Sequence, residues 1–336
     1  MRKKWKVTLT IILSLVFIIL CFVGWWIWSN YNELSHAKKS KEESRFGHFE
    51  EKQEYKPPEW EGSERVNVLL MGGDERGLRK GEVARSDSML IASFDPVSKK
   101  IHLFSVLRDT HVEIPGYKDN RVNVAITLGG PELAMKTIGN LTGLDIQYYV
   151  YADFQGFIQL VDALGGVDFY VEKDMKYTDA ADGHKFDIDL KKGQQHLDGD
   201  KALQYVRFRH DKMSDFTRTE RQRDFLAAVA GKLKNGWNLI KLPEILEEVI
   251  PFVETNMSAG DMLKLASLGY KSHQAGSSQL PPMDLVFDEK VGGSAMLGIR
   301  NRDALKGYIQ EVLGKDETME SPEPSPSSSA GAGTKK

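Results

Sequence analysis

The feature that most limits how this chain can fold is an uncharged run of 22 residues from Val7 to Trp28. A helix of this length can span the hydrocarbon core of a bilayer. Met1 to Lys6 is strongly basic, and three tryptophans lie near the far end of the run, as in an interfacial aromatic belt. We therefore predict a single-pass protein of the cell membrane, with a cytoplasmic tip over residues 1–6, a transmembrane helix over residues 7–28 and an extracytoplasmic remainder.

A cleaved signal peptide is the alternative interpretation of this N-terminus. The apolar run is long for a signal peptide, and no small-x-small cleavage pattern follows it, so a retained anchor is favoured.

The remaining chain divides by composition. Residues 29–62 are polar, rich in Lys and Glu and end near Pro57-Pro58, which predicts an extracytoplasmic stalk. Residues 316–336 contain the low-complexity stretch SPEPSPSSSAGAGTKK, which predicts a disordered tail. Between them, residues 63–315 are long enough for one large domain. The single cysteine, Cys21, excludes an internal disulfide and a cysteine-rich metal site.

Residues 63–315 alternate between strand-like and helix-like patterns. Short apolar runs at Val66–Met71, Met89–Phe94 and Ile101–Val106 predict strands. Further along, a strand, a helix closed by Gly165-Gly166 and a second strand at Val167–Val171 predict a β-α-β unit. In addition, a short helix before Gly129-Gly130 is expected to be followed by a second helix that Pro131 opens and Gly143 ends. The domain is therefore predicted to be of the α/β class, with a mixed central sheet flanked by helices.

Charged residues gather at the ends of the predicted strands. The second and third strands are joined by Asp95-Pro-Val-Ser-Lys-Lys, which is typical of a hairpin turn. In an antiparallel pair, the start of one strand lies beside the end of the other, so Arg85 and Asp87 should lie close to Arg108 and Asp109. If the first strand runs parallel to the third, Asp74 reaches the same edge, where open α/β sheets tend to bind ligands.

Two aspartates among arginines suit a magnesium ion that also contacts phosphate oxygens. Mg²⁺ is usually held by one or two carboxylates and by its substrate's phosphates, which favours a site at Asp74 and Asp87. The alternative is that these acids only form structural salt bridges with the neighbouring arginines. Other chemistries are disfavoured, because the sequence lacks a Walker lysine, an HExxH pair and a Gly-x-Ser-x-Gly elbow.

An arginine-rich stretch runs from Ala202 to Asp224 and reads ALQYVRFRHDKMSDFTRTERQRD. Thr217 and Glu220 have the spacing of a capping box, which predicts a helix whose N-cap is Thr217. Arg218 and Gln222 lie on the same helix face as the apolar residues that follow them, so this face should point inward. Such an arrangement is favoured when an anion lies there. A solvated, salt-bridged start of a helix is the alternative.

The sequence contains, in this order, the segments NVLLMGGDERG, RSDSML, SVLRDT, RVNVAITLGG, FQGFIQLVDALGGVDFYV and ALQYVRFR followed by DFTRTERQR. Behind a basic tip and one apolar anchor, these segments resemble the LytR-CpsA-Psr family. The resemblance covers about Val66 to Leu226, and it departs from the usual family pattern at Leu107, where the family has proline. Within the family the chain is most similar to the wall teichoic acid ligases of Gram-positive bacteria.

The resemblance implies a phosphotransferase that moves an anionic glycopolymer from a polyprenyl-pyrophosphate carrier to a sugar hydroxyl of peptidoglycan. The polymer would be wall teichoic acid, and the lipid tail would lie in an apolar tunnel between sheet and helices. Asp74 and Asp87 would hold Mg²⁺, with Mn²⁺ as the alternative ion. Asp87, Arg108 and Asp109 would be catalytic. The pyrophosphate would be bound by Arg85, Arg108, Arg207, Arg209, Arg218 and Gln222.

Two other functions stay open on the sequence. Water in place of the sugar hydroxyl would make the same site a lipid-pyrophosphate phosphatase. A non-catalytic, membrane-tethered receptor for the polymer or lipid would keep the arginines, but it gives no reason for the paired aspartates. Nucleic acid is not an expected partner, because the net charge is −3 and no helix-turn-helix pattern is found.

Overall fold

The computed structural model of the chain describes residues 28–29, 31–52, 55–74, 82–178, 184, 187–209 and 215–318. The strands are β1 (Val66–Gly73), β2 (Ser86–Asp95), β3 (Lys100–Val106), β4 (His111–Val112), β5 (Asn120–Arg121), β6 (Tyr148–Asp153), β7 (Val167–Val171), β8 (Met175–Tyr177), β9 (Ile188–Leu190), β10 (Gly193–Leu197), β11 (Val253–Thr255), β12 (His273–Leu280), β13 (Val286–Val291) and β14 (Ser294–Ile299). The α-helices are α1 (Ala125–Thr142), α2 (Phe154–Ala163), α3 (Gly199–Arg207), α4 (Asp215–Leu233), α5 (Gly236–Ile240), α6 (Leu242–Val249), α7 (Ala259–Lys271) and α8 (Arg302–Thr318).

A six-stranded mixed sheet forms the centre, in the order β11-β6-β1-β2-β3-β12. Strand β2 pairs antiparallel with both β1 and β3, so β1 and β3 run in the same direction. The predicted hairpin is therefore confirmed, and the condition under which Asp74 reaches the same edge, that the first and third strands are parallel, is met. Strands β6 and β12 pair in parallel with β1 and β3, which brings the carboxyl ends of all four parallel strands to one edge of the sheet.

Both faces of this sheet are covered by helices, as expected for apolar strands without a polar side. On one face, Leu69 and Met71 of β1 belong to the core under α1 and α8. On the other face, Val66 and Val68 pack with residues of α7, such as Leu265. The mixed α/β fold with a flanked central sheet is thus as the sequence predicts.

Helix α1 is interrupted where the sequence places two glycines. Gly129 has φ −153° and Gly130 has φ 73°, so the backbone leaves the helical region before Pro131 restarts the helix. Gly143 ends the helix at φ 75°, a left-handed conformation that favours glycine. The two predicted helices and their boundaries are confirmed.

The predicted β-α-β unit is only partly correct. Strand β6 and helix α2 form as expected, but β7 does not join the six-stranded sheet; it pairs with β10 in a separate antiparallel ribbon. This ribbon packs with α2, α3 and α4 around a second core that contains Phe225 and Val229. A strand of five residues fits either arrangement by its pattern, and the packing against α3 and α4 decides between them.

Residues upstream of the predicted domain boundary at 63 pack on the domain. Residues 31–37 are helical, and Phe46, Phe49 and Trp60 are buried in the cores. Arg45 donates to Glu254 of β11 over 2.6 Å. The interval expected to be a stalk therefore contributes side chains to the folded unit.

Both ends of the chain extend past what the structure describes. Residues 1–27, nearly all of the predicted membrane helix, lie outside the described residues. Among the helices that are described, none combines the length and apolarity that crossing a bilayer requires. At the C-terminus, α8 continues to Thr318, beyond the predicted start of the tail at 316, and residues 319–336 lie outside the described part.

Candidate anion-binding site

The charged residues that the sequence analysis selected meet at the edge formed by the carboxyl ends of the parallel strands. Asp74 directly follows β1, Asp87 is the second residue of β2, and Arg108 and Asp109 follow β3 after Leu107. The pairing of Gly73 with Ser86 sets the ends of β1 and β2 side by side. The structure thus brings these four residues to one edge through the hairpin that the sequence predicts and the parallel orientation of β1 and β3.

A β-bulge at the start of β2 turns Asp87 toward the site. Gly72 pairs with Ser88 and Gly73 pairs with Ser86, so Asp87 is the extra residue between them. Its Oδ1 accepts a hydrogen bond from Arg108 Nη1 over 2.6 Å. The next side chain, Ser88 Oγ, donates to Gln222 Oε1 over 3.1 Å. Two consecutive residues of a regular strand point to opposite faces, and the bulge allows both to join one polar cluster.

Arg108 is the centre of this cluster. In addition to the contact between its Nη1 atom and Asp87, its Nε atom lies 3.1 Å from Asp215 Oδ2 and 3.5 Å from Asp109 Oδ2. Burial of the guanidinium opposes its charge, but the carboxylates of Asp215 and Asp87 outweigh this, so the pKa of Arg108 is raised above its ordinary value. Arg108 is therefore held as a cation, with its fork oriented by three acids.

Asp215 connects the arginines of the two halves of the site. Its Oδ1 lies 3.4 Å from Arg218 Nη2 and 3.8 Å from Arg209 Nη1, while its Oδ2 accepts from Arg108. The sequence analysis missed this residue because it placed the N-cap of the helix at Thr217. In the structure, α4 already includes Asp215, where an acid favours the helix dipole.

Arg218 is the most buried cation of the site. Only 5% of the residue is exposed, and its Nε atom has no hydrogen-bond partner among the described residues. Burial, opposed by Asp215 and assisted by Arg209 and Arg108, lowers the pKa of Arg218 to about 10. It still carries a proton near neutral pH. The predicted inward face of this helix is confirmed, since Phe225 and Val229 are fully buried on α4.

Arg207 and Arg209 flank a fixed aromatic residue. Arg207 is the last residue of α3, and its guanidinium lies 5.0 Å from the centre of the Phe154 ring. Between the two arginines, Phe208 is buried, and its carbonyl oxygen accepts from Arg221 Nη1 over 2.5 Å. Arg221 itself is paired with Glu172 over 2.9 Å on its Nε atom. This buried arginine therefore supports the segment that carries Arg207 and Arg209, a role that the sequence analysis did not assign.

The remaining predicted ligands lie on the same edge. Arg85 directly precedes β2 and is exposed, and Asp74 is half-buried at the end of β1. The oxygen donors of Asp74 and Asp87 suit a hard cation such as Mg²⁺. No group of three or more potential metal ligands occurs among the described residues, so this part of the chain offers two carboxylates rather than a complete protein cage. That donor set fits a metal that completes its coordination with phosphate and water.

A second arginine outside the predicted set holds Asp109. Arg121 Nε lies 3.3 Å from Asp109 Oδ1, and Arg121 Nη2 donates to the carbonyl oxygen of Ala295 over 2.8 Å. The backbone N–H of Leu297 also donates to the carbonyl oxygen of Asp109. The β13–β14 hairpin thus fixes the loop that follows β3. Arg121 lies in the family-like segment RVNVAITLGG, which was the one signal that could have identified it.

Two named relatives are similar to this chain over more than half of its length. MsrR of Staphylococcus aureus, named a regulatory protein, is 31% identical over 255 residues, which cover 74% of this chain and 75% of that protein. TagU of Bacillus anthracis, named a polyisoprenyl-teichoic acid–peptidoglycan teichoic acid transferase, is 37% identical over 205 residues, or 60% of this chain and 64% of that protein.

Among solved structures, the protein YwtF (TagT) with bound octaprenyl pyrophosphate lipid superposes with a TM-score of 0.57 at 25% identity, over 76% of this chain and 94% of that chain. The family model described as LytR_cpsA_psr matches residues 27–305, most of the chain. The chain belongs to the LytR-CpsA-Psr family.

Proposed function

We propose that this protein transfers an anionic glycopolymer, of the wall teichoic acid type, from a polyprenyl-pyrophosphate carrier to a sugar hydroxyl of peptidoglycan. The observation that carries the proposal is the convergence of Arg108, Arg209 and Arg218 around Asp215, with the buried Nε of Arg218 lacking a hydrogen-bond partner among the described residues. Buried polar groups are normally hydrogen-bonded, so this N–H group without an acceptor, in a cluster of three guanidinium groups, points to a bound anion. The TagU name and the lipid-bound TagT structure supply the class of that anion.

The reaction is a phosphoryl transfer. The oxygen of the acceptor hydroxyl attacks the phosphorus that carries the polymer, and the bond from this phosphorus to the bridging oxygen of the pyrophosphate breaks. Polyprenyl phosphate leaves with that electron pair, and the proton of the hydroxyl passes to a base. Catalysis of such a step comes mainly from positioning and from neutralising charge on the phosphate oxygens.

The arginines supply this neutralisation. Arg218 and Arg209 reach the site from α4 and the segment before it, and Arg108 reaches it from the end of β3. Asp215 holds these three guanidinium groups in place before substrate binds, so little reorganisation is needed. Asp87 and Asp109 are the carboxylates of the cluster that can take up the hydroxyl proton, and each is oriented by an arginine.

Asp74 and Asp87 would hold a Mg²⁺ or Mn²⁺ ion. When bound there, the ion would neutralise charge on the pyrophosphate oxygens and orient them. Oδ1 of Asp87 accepts from Arg108, while no partner of Oδ2 is seen among the described residues, so this carboxylate can serve both groups.

The apolar tail of the lipid would lie along the sheet face that carries α4 and α7. Leu70 pairs with Leu90, and Leu90 pairs with Ser105, whose hydroxyl contacts Thr219 of α4. Half-buried apolar side chains continue this face toward α7, among them Leu70, Phe94, Val150 and Met262. Anchoring by residues 7–28 would keep the domain outside the membrane and near its lipid substrate.

The test is a transfer assay with the full-length chain in detergent, a polyprenyl-pyrophosphate-linked sugar polymer, Mg²⁺ and peptidoglycan. Arg108→Ala and Asp87→Ala are measured beside the wild type, with Lys264→Ala as a control at an exposed site on α7. We expect Mg²⁺-dependent attachment of polymer, lost in both site variants and kept in the control. Free polymer phosphate without attachment would identify a phosphatase. Tight lipid binding without turnover would identify a receptor.

A further inference from the structure

A cleft outside the arginine cluster lies between β4, the C-terminal half of α1 and the start of α8. Its volume is about 310 Å³, at the lower end of the range for ligand sites and large enough for one sugar ring or a short peptide. Val112 and Leu141 form apolar parts of its wall. The cleft is therefore a candidate site for a small part of a larger ligand.

Four polar residues that line this cleft are exposed and have no protein partner within the described part of the chain. Arg302 and Lys306 lie one turn apart on α8, and Glu113 and Asn140 face the same space. None of these four side chains forms a hydrogen bond or an ion pair with another described residue. Thr137, which is 1% exposed, adds a buried hydroxyl oxygen without a partner. Charged side chains of both signs at one cleft are available to a ligand that itself carries both charges.

The cleft starts close to the reaction site in the chain. Val112 follows Arg108 by four residues, so their Cα atoms are at most about 14 Å apart. The intervening Thr110 pairs with Leu297 of β14, which keeps this connection rigid. A ligand of a few residues or sugars can therefore occupy the cleft and still place a hydroxyl group at Arg108.

We propose that this cleft binds the stem peptide of the peptidoglycan acceptor. This inference rests on the proposed transfer function and adds to it the site that orients the acceptor. The stem peptide carries both carboxylates and amino groups, which match the cations Arg302 and Lys306 and the anion Glu113. A polyanionic donor polymer would also be attracted by the two cations, but Glu113 would repel it.

The binding experiment uses the full-length chain without lipid donor, so that it reports on the cleft and not on transfer. The probe is a soluble, uncrosslinked disaccharide-pentapeptide from peptidoglycan, titrated by calorimetry. Arg302→Gln and Lys306→Gln should each weaken its binding by about fivefold. Lys315→Gln, on the same helix but at an exposed pair with Glu311, should leave binding unchanged.

Glu113→Gln separates the two ligand classes. For the stem peptide, the substitution should weaken binding, because an amino group loses its anion. The second experiment is a parallel titration with a poly(glycerol phosphate) oligomer. If this oligomer binds Glu113→Gln more tightly than wild type and the muropeptide does not bind, the proposal is overturned and the cleft is a site for the donor polymer. Binding of the muropeptide that is unaffected by all three cleft substitutions would overturn it as well.

The transfer assay then distinguishes this proposal from the proposed function. If the cleft binds the acceptor, Arg302→Gln should raise the KM for peptidoglycan about fivefold and leave the KM for the lipid donor and kcat unchanged. If transfer itself is absent in the wild type but the muropeptide still binds at the cleft, the transfer function fails while the cleft assignment stands.

Discussion

At the scale of single residues, the site is controlled by one carboxylate shared among three guanidinium groups. Asp215 is about four-fifths buried at its side chain and contacts Arg108, Arg209 and Arg218. Removing the shared carboxylate leaves several cations with less compensation, and breaking a buried ion pair in this way costs about 3–5 kcal/mol in measured cases. The same crowding of cations is what an anionic substrate would relieve.

We therefore predict that Asp215→Asn lowers the free energy of unfolding by about 3 kcal/mol. Inorganic pyrophosphate should raise the melting temperature of this variant more than that of the wild type, because it replaces the lost negative charge. Thermal unfolding with and without pyrophosphate measures both effects. Asp174→Asn, at an exposed pair with Lys191, is the control and should change neither value. An equal pyrophosphate effect on all three proteins would contradict this account.

Arg218 leads to the opposite prediction for stability. Its burial without full pairing lowers its pKa to about 10, which means that the folded protein disfavours the charged form. The folded-state pKa is depressed, so this cost is present at neutral pH and is relieved only as the pH rises above about 10. Arg218→Gln should accordingly leave the melting temperature unchanged or slightly raised, while kcat/KM for transfer falls about 100-fold. Melting curves and transfer kinetics of the wild type and Arg218→Gln test this prediction. A large loss of stability in Arg218→Gln would show that Arg218 has a structural role instead.

At the scale of elements, the sequence was informative where local patterns decide the structure. The turn at residues 95–100 and the apolar runs around it were sufficient to place Asp87 beside Arg108. Strand β12 was not predicted, because HQAGSSQL has one large apolar residue and no β-branched one; it forms through parallel pairing with β3. Asp215 was missed for a related reason, since the start of α4 lies in a stretch of charged residues with no apolar periodicity.

The bulge that presents Asp87 depends on a close approach between neighbouring strands. A Cβ atom on Gly73 would collide with the hydroxyl of Tyr151, whose fully buried ring is packed edge-on against Phe46 at 5.1 Å. Gly72 has more room, since the nearest atom to a Cβ there would be Cβ of Ser88 at 3.3 Å. The two glycines are adjacent, yet they should respond differently to the same substitution.

We predict that Gly73→Ala lowers the free energy of unfolding by about 2–3 kcal/mol, because the Tyr151 ring has little space to move. Gly72→Ala should cost about 1 kcal/mol or less. Adding Tyr151→Phe to Gly73→Ala removes the colliding hydroxyl and should recover part of the loss, although Cζ would still lie 2.8 Å from the new atom. Urea unfolding of Gly73→Ala, Tyr151→Phe and the double variant gives the coupling free energy between the two positions. Additive effects would contradict the proposed contact between residue 73 and the Tyr151 hydroxyl.

At the scale of the whole molecule, the N-terminal segment completes the edge of the central sheet. Glu254 on β11 is 2% exposed, and its oxygens contact Arg45 Nε at 2.6 Å, Ser44 Oγ at 2.7 Å and Lys39 at 3.8 Å. Phe46 and Phe49 enter the core under α1. Residues 29–62 are polar in composition, and this composition does not reveal that a few apolar and charged residues within the interval dock on the domain.

This arrangement predicts that one substitution has opposite effects in two lengths of chain. A chain that begins at residue 31 keeps the Arg45–Glu254 pair, so Glu254→Gln should destabilise it by about 2 kcal/mol. A chain that begins at residue 63 lacks Phe46, Phe49 and every partner named above, and should be less stable by about 4 kcal/mol or more. In that shorter chain the same substitution removes an unpaired buried charge and should be stabilising. Urea unfolding of the four proteins measures how Glu254→Gln changes the free energy of unfolding in each chain length. A change of the same sign in both would mean that the segment from residue 39 to residue 46 does not compensate the charge of Glu254.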